Sequence, residues 1–219
     1  LNLKKSKLGN ELLNLAKRIF PLNRSLTGDG NRQTLQILKE YISNLKIYEV
    51  ESGTTAFDWT VPEEWKVDEA YIITPDGDKI CDYSCNNLSL VGYSVPFEGS
   101  LTLEDLNAHL YSNEEMPEAI PYVTSYYNKS WGFCISKNDR AKLKNGVYTV
   151  VIKTKLFKGS MTYGEVLIQG ESDKEIFMST YICHPSMANN EVSGPSVLTY
   201  ILKWLQERDV KPKYSIRAI

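Results

Sequence analysis

The chain has little of several features that define common protein classes. None of its apolar runs approaches the roughly 20 residues that cross a bilayer. No apolar segment follows the lysines near its N-terminus, as a signal peptide would require. Its net charge is −2 and it has no long basic run, which argues against a nucleic-acid surface. We therefore expect neither a membrane partner nor a nucleic-acid partner for this region.

Cysteine is also scarce, with four residues among 219. These are Cys81, Cys85, Cys134 and Cys183. So few cysteines in an acidic chain of this size are typical of a reduced cytoplasm, so we expect free thiols and a cytoplasmic location. Cys81 and Cys85 could instead bind zinc, but no second pair follows them at zinc-finger spacing.

The chain does have enough apolar residues, 42% of the total, for one large domain or two small ones. Helical periodicity covers residues 10–20 and 32–45, and a strand follows at 47–53. From about 54 to 144 the pattern changes to loops and short β-like runs, including 71–83 and 88–95. Three longer strand-like runs come next, at 146–156, 162–170 and 175–182.

A helix pattern at 196–209, with Pro195 suited to its first turn, separates the last of these strands from another at 213–219. Strand, helix and strand in this order form the unit of a parallel sheet that is covered on both faces. One such unit does not complete an α/β domain, so we expect the chain to be the front part of a longer protein. The alternative is a small α+β protein with the final strand at the edge of its sheet.

The loop between strand and helix, YICHPSMANNEVSGP at 181–195, contains one of only two histidines. Functional groups in open α/β sheets collect where the carboxyl ends of strands meet helix N-termini. His184 lies at such a point, and an imidazole on a rigid strand end suits zinc. His184 is therefore a candidate metal ligand, although its position also fits a structural histidine in a turn.

Four stretches of the sequence resemble one family: RSLTGDGNRQTL, SYYNKSWGFCIS, GVYTVVIKTKLFKGSMTYGE and ICHPSMANNEVSGP. They are similar to the co-catalytic zinc aminopeptidases, and especially to an aminopeptidase-like branch catalogued as a domain of unknown function. The resemblance implies an α/β fold, with a partial zinc-aminopeptidase-like mixed sheet, flanking helices and a small inserted β-rich domain. It places the peptidase-like domain at residues 1–53 and 146–219, and the insertion at 54–145.

The resemblance also implies a site for two zinc ions. His184 matches the strand-end histidine of the family, and Asn190 falls where the family has an aspartate that bridges both metals. An amide cannot supply two anionic oxygens, and the adjacent Glu191 is expected to point in another direction. The family's catalytic glutamate and further ligands are expected beyond Ile219. We therefore expect the chain alone to bind zinc weakly or not at all, and to be inactive.

The glycine-containing segment 21–35 precedes a predicted helix. Gly28 and Gly30 near a helix N-terminus suit an anion site, but the segment fails both the dinucleotide and the P-loop patterns. A glycine-rich turn is the favoured interpretation. The alternative is that Arg24 or Arg32 binds a substrate carboxylate in the active cleft.

Two further groups of residues have structural roles as their favoured interpretation. Asn189 and Ser193 are expected to cap the helix that follows the loop. The aromatic residues within 122–133 could stack on a sugar or an apolar side chain, but core packing is the commoner use of such a cluster.

Two functions of different classes follow from these observations. The first is a metallo-aminopeptidase that in its complete form hydrolyses N-terminal peptide bonds, using zinc-activated water and a carboxylate base. The second is an inactive peptidase-like protein that binds a peptide or a carbohydrate as a scaffold, with the link to polysaccharide biosynthesis that the resemblance suggests. The expected partner is a peptide or another small substrate in a cleft, and the sequence leaves the question of enzymatic activity open.

Overall fold

The computed structural model describes residues 2–208 and 211–219. They form two compact units. The discontinuous unit combines the described residues up to Pro62 with those from Lys158 to Ile219, and the continuous unit is Glu63–Phe157.

Regular elements cover much of both units. Within the described residues the helices are α1 (Asn2–Ile19), α2 (Asp29–Lys39), α3 (Leu103–Asn107), α4 (Lys137–Arg140) and α5 (Ser193–Gln206). The strands are β1 (Lys46–Glu51), β2 (Thr55–Ala56), β3 (Trp59–Thr60), β4 (Glu64–Ile73), β5 (Lys79–Ile80), β6 (Phe97–Thr102), β7 (Leu110–Tyr111), β8 (Phe133–Cys134), β9 (Val147–Phe157), β10 (Ser160–Ile168), β11 (Ser172–Met178) and β12 (Tyr214–Ala218). A 3₁₀ turn covers Asn87–Ser89 and a π-helical turn covers Ala188–Val192.

The discontinuous unit is built on a mixed sheet with the strand order β1-β10-β12-β11. β10 is antiparallel to both β1 and β12, whereas β11 and β12 are parallel. Apolar side chains from α1, α2 and α5 are buried with side chains of the sheet in one core. Its members include Leu15, Ile19, Leu35, Leu38, Val166, Leu202 and Ile216. The mixed sheet with flanking helices confirms the α/β prediction.

The predicted strand–helix–strand unit is also confirmed, as β11, α5 and β12. The two strands are parallel, with Ile176 opposite Ile216 and Met178 opposite Ala218. Pro195 lies in the first turn of α5, a position where proline is common. This unit positions the loop that contains His184, because the loop connects β11 to α5.

The continuous unit contains a separate antiparallel sheet with the order β5-β4-β9-β6. Along β9 the side chains of Tyr148, Val150 and Ile152 are buried while their neighbours are more exposed, as period-two alternation requires. The predicted hairpin at 71–83 is present as β4 and β5. Gly77 lies in its turn with a φ of +89°, which glycine adopts without strain.

The continuous unit, Glu63–Phe157, has other limits than the β-rich insertion expected at 54–145. β9 was expected in the peptidase-like domain, but it pairs with β4 on one side and with β6 on the other. The short strands β2 and β3 lie before Glu63 and therefore belong to the discontinuous unit. Sheet pairing, which a boundary drawn from composition does not detect, sets these limits. That the continuous unit is an insertion into a peptidase-like domain stays a prediction.

Candidate metal centre

The loop that contains His184 begins earlier than the sequence suggested. β11 ends at Met178. Beyond it, the Thr180 N–H donates one more hydrogen bond, of 2.9 Å, to the carbonyl of Ile219, which directly follows β12. His184 therefore does not directly follow a strand. An irregular segment of a few residues carries the chain from the sheet to the histidine, whose side chain keeps 21% exposure.

The chain then turns sharply through a π-helical turn. Ser186 and Met187 have positive φ values of 50° and 48°, and Ala188–Val192 forms the turn directly before α5. Within the turn Glu191 and Val192 are buried. Such π-helical turns are rare overall, but those that occur are often found at functional sites. Here the turn directs a carboxylate into the protein.

Glu191 is the side chain that the turn brings to His184. Its Oε1 atom makes a hydrogen bond with His184 Nδ1, and the glutamate is fully buried. Cys183 joins them, because one ligand atom from each of the three residues lies within 4.8 Å of the others. Glu191 does point in another direction than the exposed Asn190, but that direction is toward His184, which the sequence did not predict. Sequence reasoning missed Cys183 as well, and the signal for both was their presence beside His184 in one short loop.

The electrostatics of this cluster favour a positive charge on His184. Its hydrogen bonds with Cys183 and with Glu191 raise the pKa of His184 to about 10, although burial lowers it. A metal ion needs the neutral imidazole, so metal binding at Nδ1 would release a proton. In its metal-free form the cluster is thus a protonated imidazole beside a buried carboxylate.

A second buried charge, Arg24, lies near the cluster. It is fully buried, and burial lowers its pKa to about 10 in spite of the attraction of Glu191 and Cys183. Its guanidinium donates hydrogen bonds to the Ile19 carbonyl and, at 3.2 Å, to the Ser186 carbonyl. Arg24 therefore ties the end of α1 to the loop of the cluster. The sequence left open that Arg24 binds a substrate carboxylate, but its guanidinium is buried and engaged by these two carbonyls.

Asn190, the predicted position of a bridging ligand, has a different environment. Its side chain is exposed, and its Oδ1 atom accepts a hydrogen bond from the Tyr181 hydroxyl at 2.6 Å. The Tyr181 ring in turn contacts the ring of His184 edge-on, with a centroid distance of 6.2 Å. Asn190 thus reaches His184 through Tyr181, whereas Glu191 contacts it directly. A metal-binding role for Asn190 stays a prediction.

The predicted helix caps at Asn189 and Ser193 are wrong. In the described structure no side-chain cap is present at the start of the π turn or of α5. The Ser193 hydroxyl instead donates a hydrogen bond to the Asn189 carbonyl. The π turn runs directly into α5, so its backbone groups leave no open helix N-terminus at Ser193 for a side chain to cap.

The segment 21–35 contains a turn that side-chain hydrogen bonds stabilise, which agrees with the interpretation favoured by its sequence. The Asn31 amide donates to the Ser25 carbonyl at 2.7 Å and its oxygen accepts from the Ser25 N–H at 3.2 Å. Arg32 bonds Glu49 at 2.9 Å and contacts Asp29 at 3.2 Å. Glu49 and Asp29 thus engage the guanidinium of Arg32, so the structure gives no support to an anion site there.

The aromatic residues of the continuous unit pack mainly against each other. Trp131 stacks on Phe97 and on His109, with centroid distances of 4.2 Å and 3.7 Å. Phe133 is fully buried. Packing, rather than an open platform for a sugar, is the use that the contacts of Trp131 and Phe133 support.

The fold is similar to that of peptidases of known structure. A peptidase M28 precursor from Shewanella amazonensis aligns over 95% of this chain and 62% of its own, with a TM-score of 0.60 and 11% identity. BSAP, a zinc aminopeptidase from Bacillus subtilis, aligns over 95% and 60%, with a TM-score of 0.55 and 13% identity. At such low identity the likeness concerns the fold alone.

The family follows from the sequence itself. The model of the family described as "Domain of unknown function (DUF4910)" matches residues 13–219, and the chain belongs to that family. This confirms the resemblance that its four stretches carry.

Relatives from Clostridium acetobutylicum are much more similar to this chain in sequence than the two proteins above. One, named "Putative polysaccharide biosynthesis protein with aminopeptidase-like domain", is 44% identical over 214 residues, which are 98% of this chain and 49% of the relative. A solved structure named as a "putative peptidase" is also 44% identical, with a TM-score of 0.93, and the match covers 97% of this chain and 50% of that one. The chain thus spans about half the length of these relatives.

No helix in the part of the chain that the structure describes is long and apolar enough to span a membrane. Each of the four cysteines is a free thiol, as predicted. The zinc pair considered for Cys81 and Cys85 gains no support, since the potential metal ligands that the described residues bring together are Cys183, His184 and Glu191.

The side chains of the cluster fit a zinc ion. Imidazole nitrogen and carboxylate oxygen are common zinc ligands. The Oε2 atom of Glu191 is buried and has no hydrogen-bond partner among the described residues. Buried polar atoms are nearly always satisfied, and a bound cation would satisfy this one. Two zinc ions fit less well, because Asn190 offers a single neutral oxygen where a bridge between two cations requires an anionic carboxylate.

Proposed function

We propose that this chain supplies part of the metal site of a zinc-dependent aminopeptidase-like protein, with His184 and Glu191 as two of the ligands. The fold, the family and the names of the relatives support a peptidase-like function. The observation that carries the proposal is the fully buried carboxylate of Glu191, which contacts His184 and keeps one oxygen unpartnered.

Each residue of the site has a definite task in this proposal. A bound zinc ion would supply Lewis-acid polarisation of a peptide carbonyl and activation of water. Glu191 supplies negative charge to the ion beside the neutral His184 ring. Tyr181, held by Asn190, covers one edge of that ring. We place the general base and further ligands in the part of the relatives that this chain does not span.

A binding protein without catalytic activity is the second candidate, and Asn190 is the observation that favours it. Its amide is neutral, and its oxygen is already engaged by Tyr181, so it is a poor replacement for a bridging anion. One relative is named as a polysaccharide biosynthesis protein, which suggests a carbohydrate as the bound partner. On this proposal Asn190→Asp in the full-length protein would raise the zinc content above that of the unaltered protein.

Metal analysis tests the first proposal. Full-length protein is dialysed against zinc and its bound zinc is counted by mass spectrometry, for the unaltered form and for His184→Ala, Glu191→Gln and Glu171→Gln. We expect about one bound zinc ion for the unaltered form and loss of most of it in the first two variants, since each removes a ligand. Glu171 is exposed and Glu171→Gln is the matched control. Equal zinc content in all four forms would contradict the proposal.

A further inference from the structure

We infer that Cys183 is a third protein ligand of this site, which would then hold a single metal ion through sulfur, nitrogen and oxygen. The inference rests on the proposed function, in which His184 and Glu191 bind the metal. It assigns a thiolate ligand to a cysteine whose sequence context predicts an unpaired thiol. It also revises the expectation of weak zinc binding, because that expectation counted only His184 and Asn190.

The distances support coordination by all three residues. Cys183 Sγ lies 3.8 Å from His184 Nδ1. For zinc bond lengths of about 2.3 Å to sulfur and about 2.05 Å to nitrogen, a tetrahedral centre separates these atoms by roughly 3.6 Å. The ligand oxygen of Glu191 lies within 4.8 Å of both. Nδ1 and Oε1 are closer together than the roughly 3.3 Å between two tetrahedral ligands of one zinc ion, so the Glu191 carboxylate and the His184 ring must move apart for one ion to contact all three atoms.

The local backbone explains how two consecutive residues can share one ion. In a strand, neighbouring side chains point to opposite faces, so Cys183 and His184 could not both face Glu191. β11 ends at Met178, and the irregular backbone that follows releases this alternation. The two side chains accordingly approach each other and the buried carboxylate.

Charge balance favours one ion over two. A thiolate and a carboxylate with a neutral imidazole carry a charge of −2, which matches one divalent cation. The fully buried guanidinium of Arg24 nearby adds positive charge, so a second cation would be repelled. The unpartnered Oε2 atom of Glu191 is the independent sign that a ligand is missing, since a thiol beside an imidazole would not by itself indicate one.

Cobalt spectroscopy separates this inference from the proposed function. Full-length protein is titrated with Co²⁺, and both the visible ligand-field bands and the near-ultraviolet charge-transfer band of a cobalt–thiolate bond are recorded. Four forms are compared: unaltered, Cys183→Ser, Cys85→Ser and His184→Ala. Cys85 is exposed and lies in the continuous unit, so Cys85→Ser is the matched control for loss of a thiol. Circular dichroism checks that all four forms are folded.

We expect one equivalent of Co²⁺ to produce both sets of bands in the unaltered form and in Cys85→Ser. Cys183→Ser should lose the charge-transfer band and bind zinc at least about tenfold more weakly, the lower limit of what loss of even an outer-shell partner costs. Stoichiometric binding that requires His184 but shows no thiolate band would overturn the role of Cys183 and leave the proposed function standing. No stoichiometric binding by the unaltered form would overturn both.

Discussion

Glu191 is the residue whose position is hardest to explain by stability alone. Burial of a carboxylate costs several kcal/mol unless charges and hydrogen bonds compensate it. Here one oxygen bonds His184, and the other has no hydrogen-bond partner among the described residues. A residue placed for folding alone would be expected to use both oxygens. The incomplete pairing is consistent with a carboxylate that is positioned for a cation.

Arg24 is the residue that holds the loop of the cluster in place, and its removal should destabilise the protein. Arg24→Met keeps an apolar stem of similar length but removes the donors to the Ile19 and Ser186 carbonyls. Each hydrogen bond to a charged group contributes about 1.5 to 3 kcal/mol to stability. Removing a buried charge is itself favourable and offsets part of this loss. We expect the free energy of unfolding in urea to fall by about 3 kcal/mol.

Arg18→Met is the control for the Arg24 experiment. Arg18 also bonds with its guanidinium, to Glu40 at 2.8 Å, but its side chain is 41% exposed. Exposed ion pairs contribute little to stability because water screens them. The urea midpoint should therefore shift much less for Arg18→Met. Equal shifts of the two variants would show that Arg24 does not support the loop.

At this scale the sequence singles out His184 as a candidate ligand but does not indicate which residues contact it. His184 could be found because it follows an apolar run and precedes a helix pattern. Glu191 could not, since the direction of its side chain depends on a π-helical turn that has no recognised sequence pattern. Cys183 ends the same apolar run, and at such a position a cysteine is as typical of a buried structural thiol as of a metal ligand.

Among the elements, α2 depends on a close backbone contact at its start. A Cβ atom at Gly30 would lie 1.9 Å from the Asn23 carbonyl oxygen, so the 23–31 turn would have to shift. We expect Gly30→Ala to lower the free energy of unfolding by about 2 kcal/mol, a typical cost of overpacking. Thermal unfolding followed by circular dichroism at 222 nm, the wavelength of helix absorption, would measure the change.

Gly9→Ala is the matched substitution for Gly30→Ala. Gly9 is an exposed residue of α1 with no atom within 4 Å of a new Cβ. Alanine is more favourable than glycine inside a helix by about 0.8 to 1 kcal/mol, so this variant should be slightly more stable than the unaltered protein. A destabilised Gly9→Ala, or a Gly30→Ala that unfolds at the same temperature as the unaltered protein, would contradict the argument.

The elements with long periodic patterns were predicted best. α5 and β12 lie close to where their apolar periodicity indicated, whereas α1 includes most of the predicted 10–20 but begins at Asn2. The β-like run at 88–95 is different, because it forms a 3₁₀ turn and isolated bridges instead of a strand. Tyr93 has a φ of +64°, which an extended strand cannot contain. Leu90, Val91 and Tyr93 are nevertheless buried, so the pattern indicated burial correctly and secondary structure wrongly.

For the whole molecule, the pairing of strand ends defines the limits of the continuous unit. Glu64, near its start, is directly opposite Phe157 at its end, because β4 and β9 pair as antiparallel strands from there to Ile73 and Thr149. The chain therefore leaves this unit next to where it begins. A boundary drawn from composition at 54–145 could not find this, since it ended before the strand that pairs with both β4 and β6.

This geometry predicts that residues 63–157 fold without the rest of the chain. The fragment contains its complete four-stranded sheet and its own buried side chains, including Ile72, Phe133 and Val150. Residues 54–145 form the matched control, because they lack β9, the strand between β4 and β6. We expect a β-type circular dichroism spectrum and one cooperative urea transition for the first fragment, and neither for the second. If both fragments were unfolded, or if both unfolded cooperatively, β9 would not be the element that makes this unit independent.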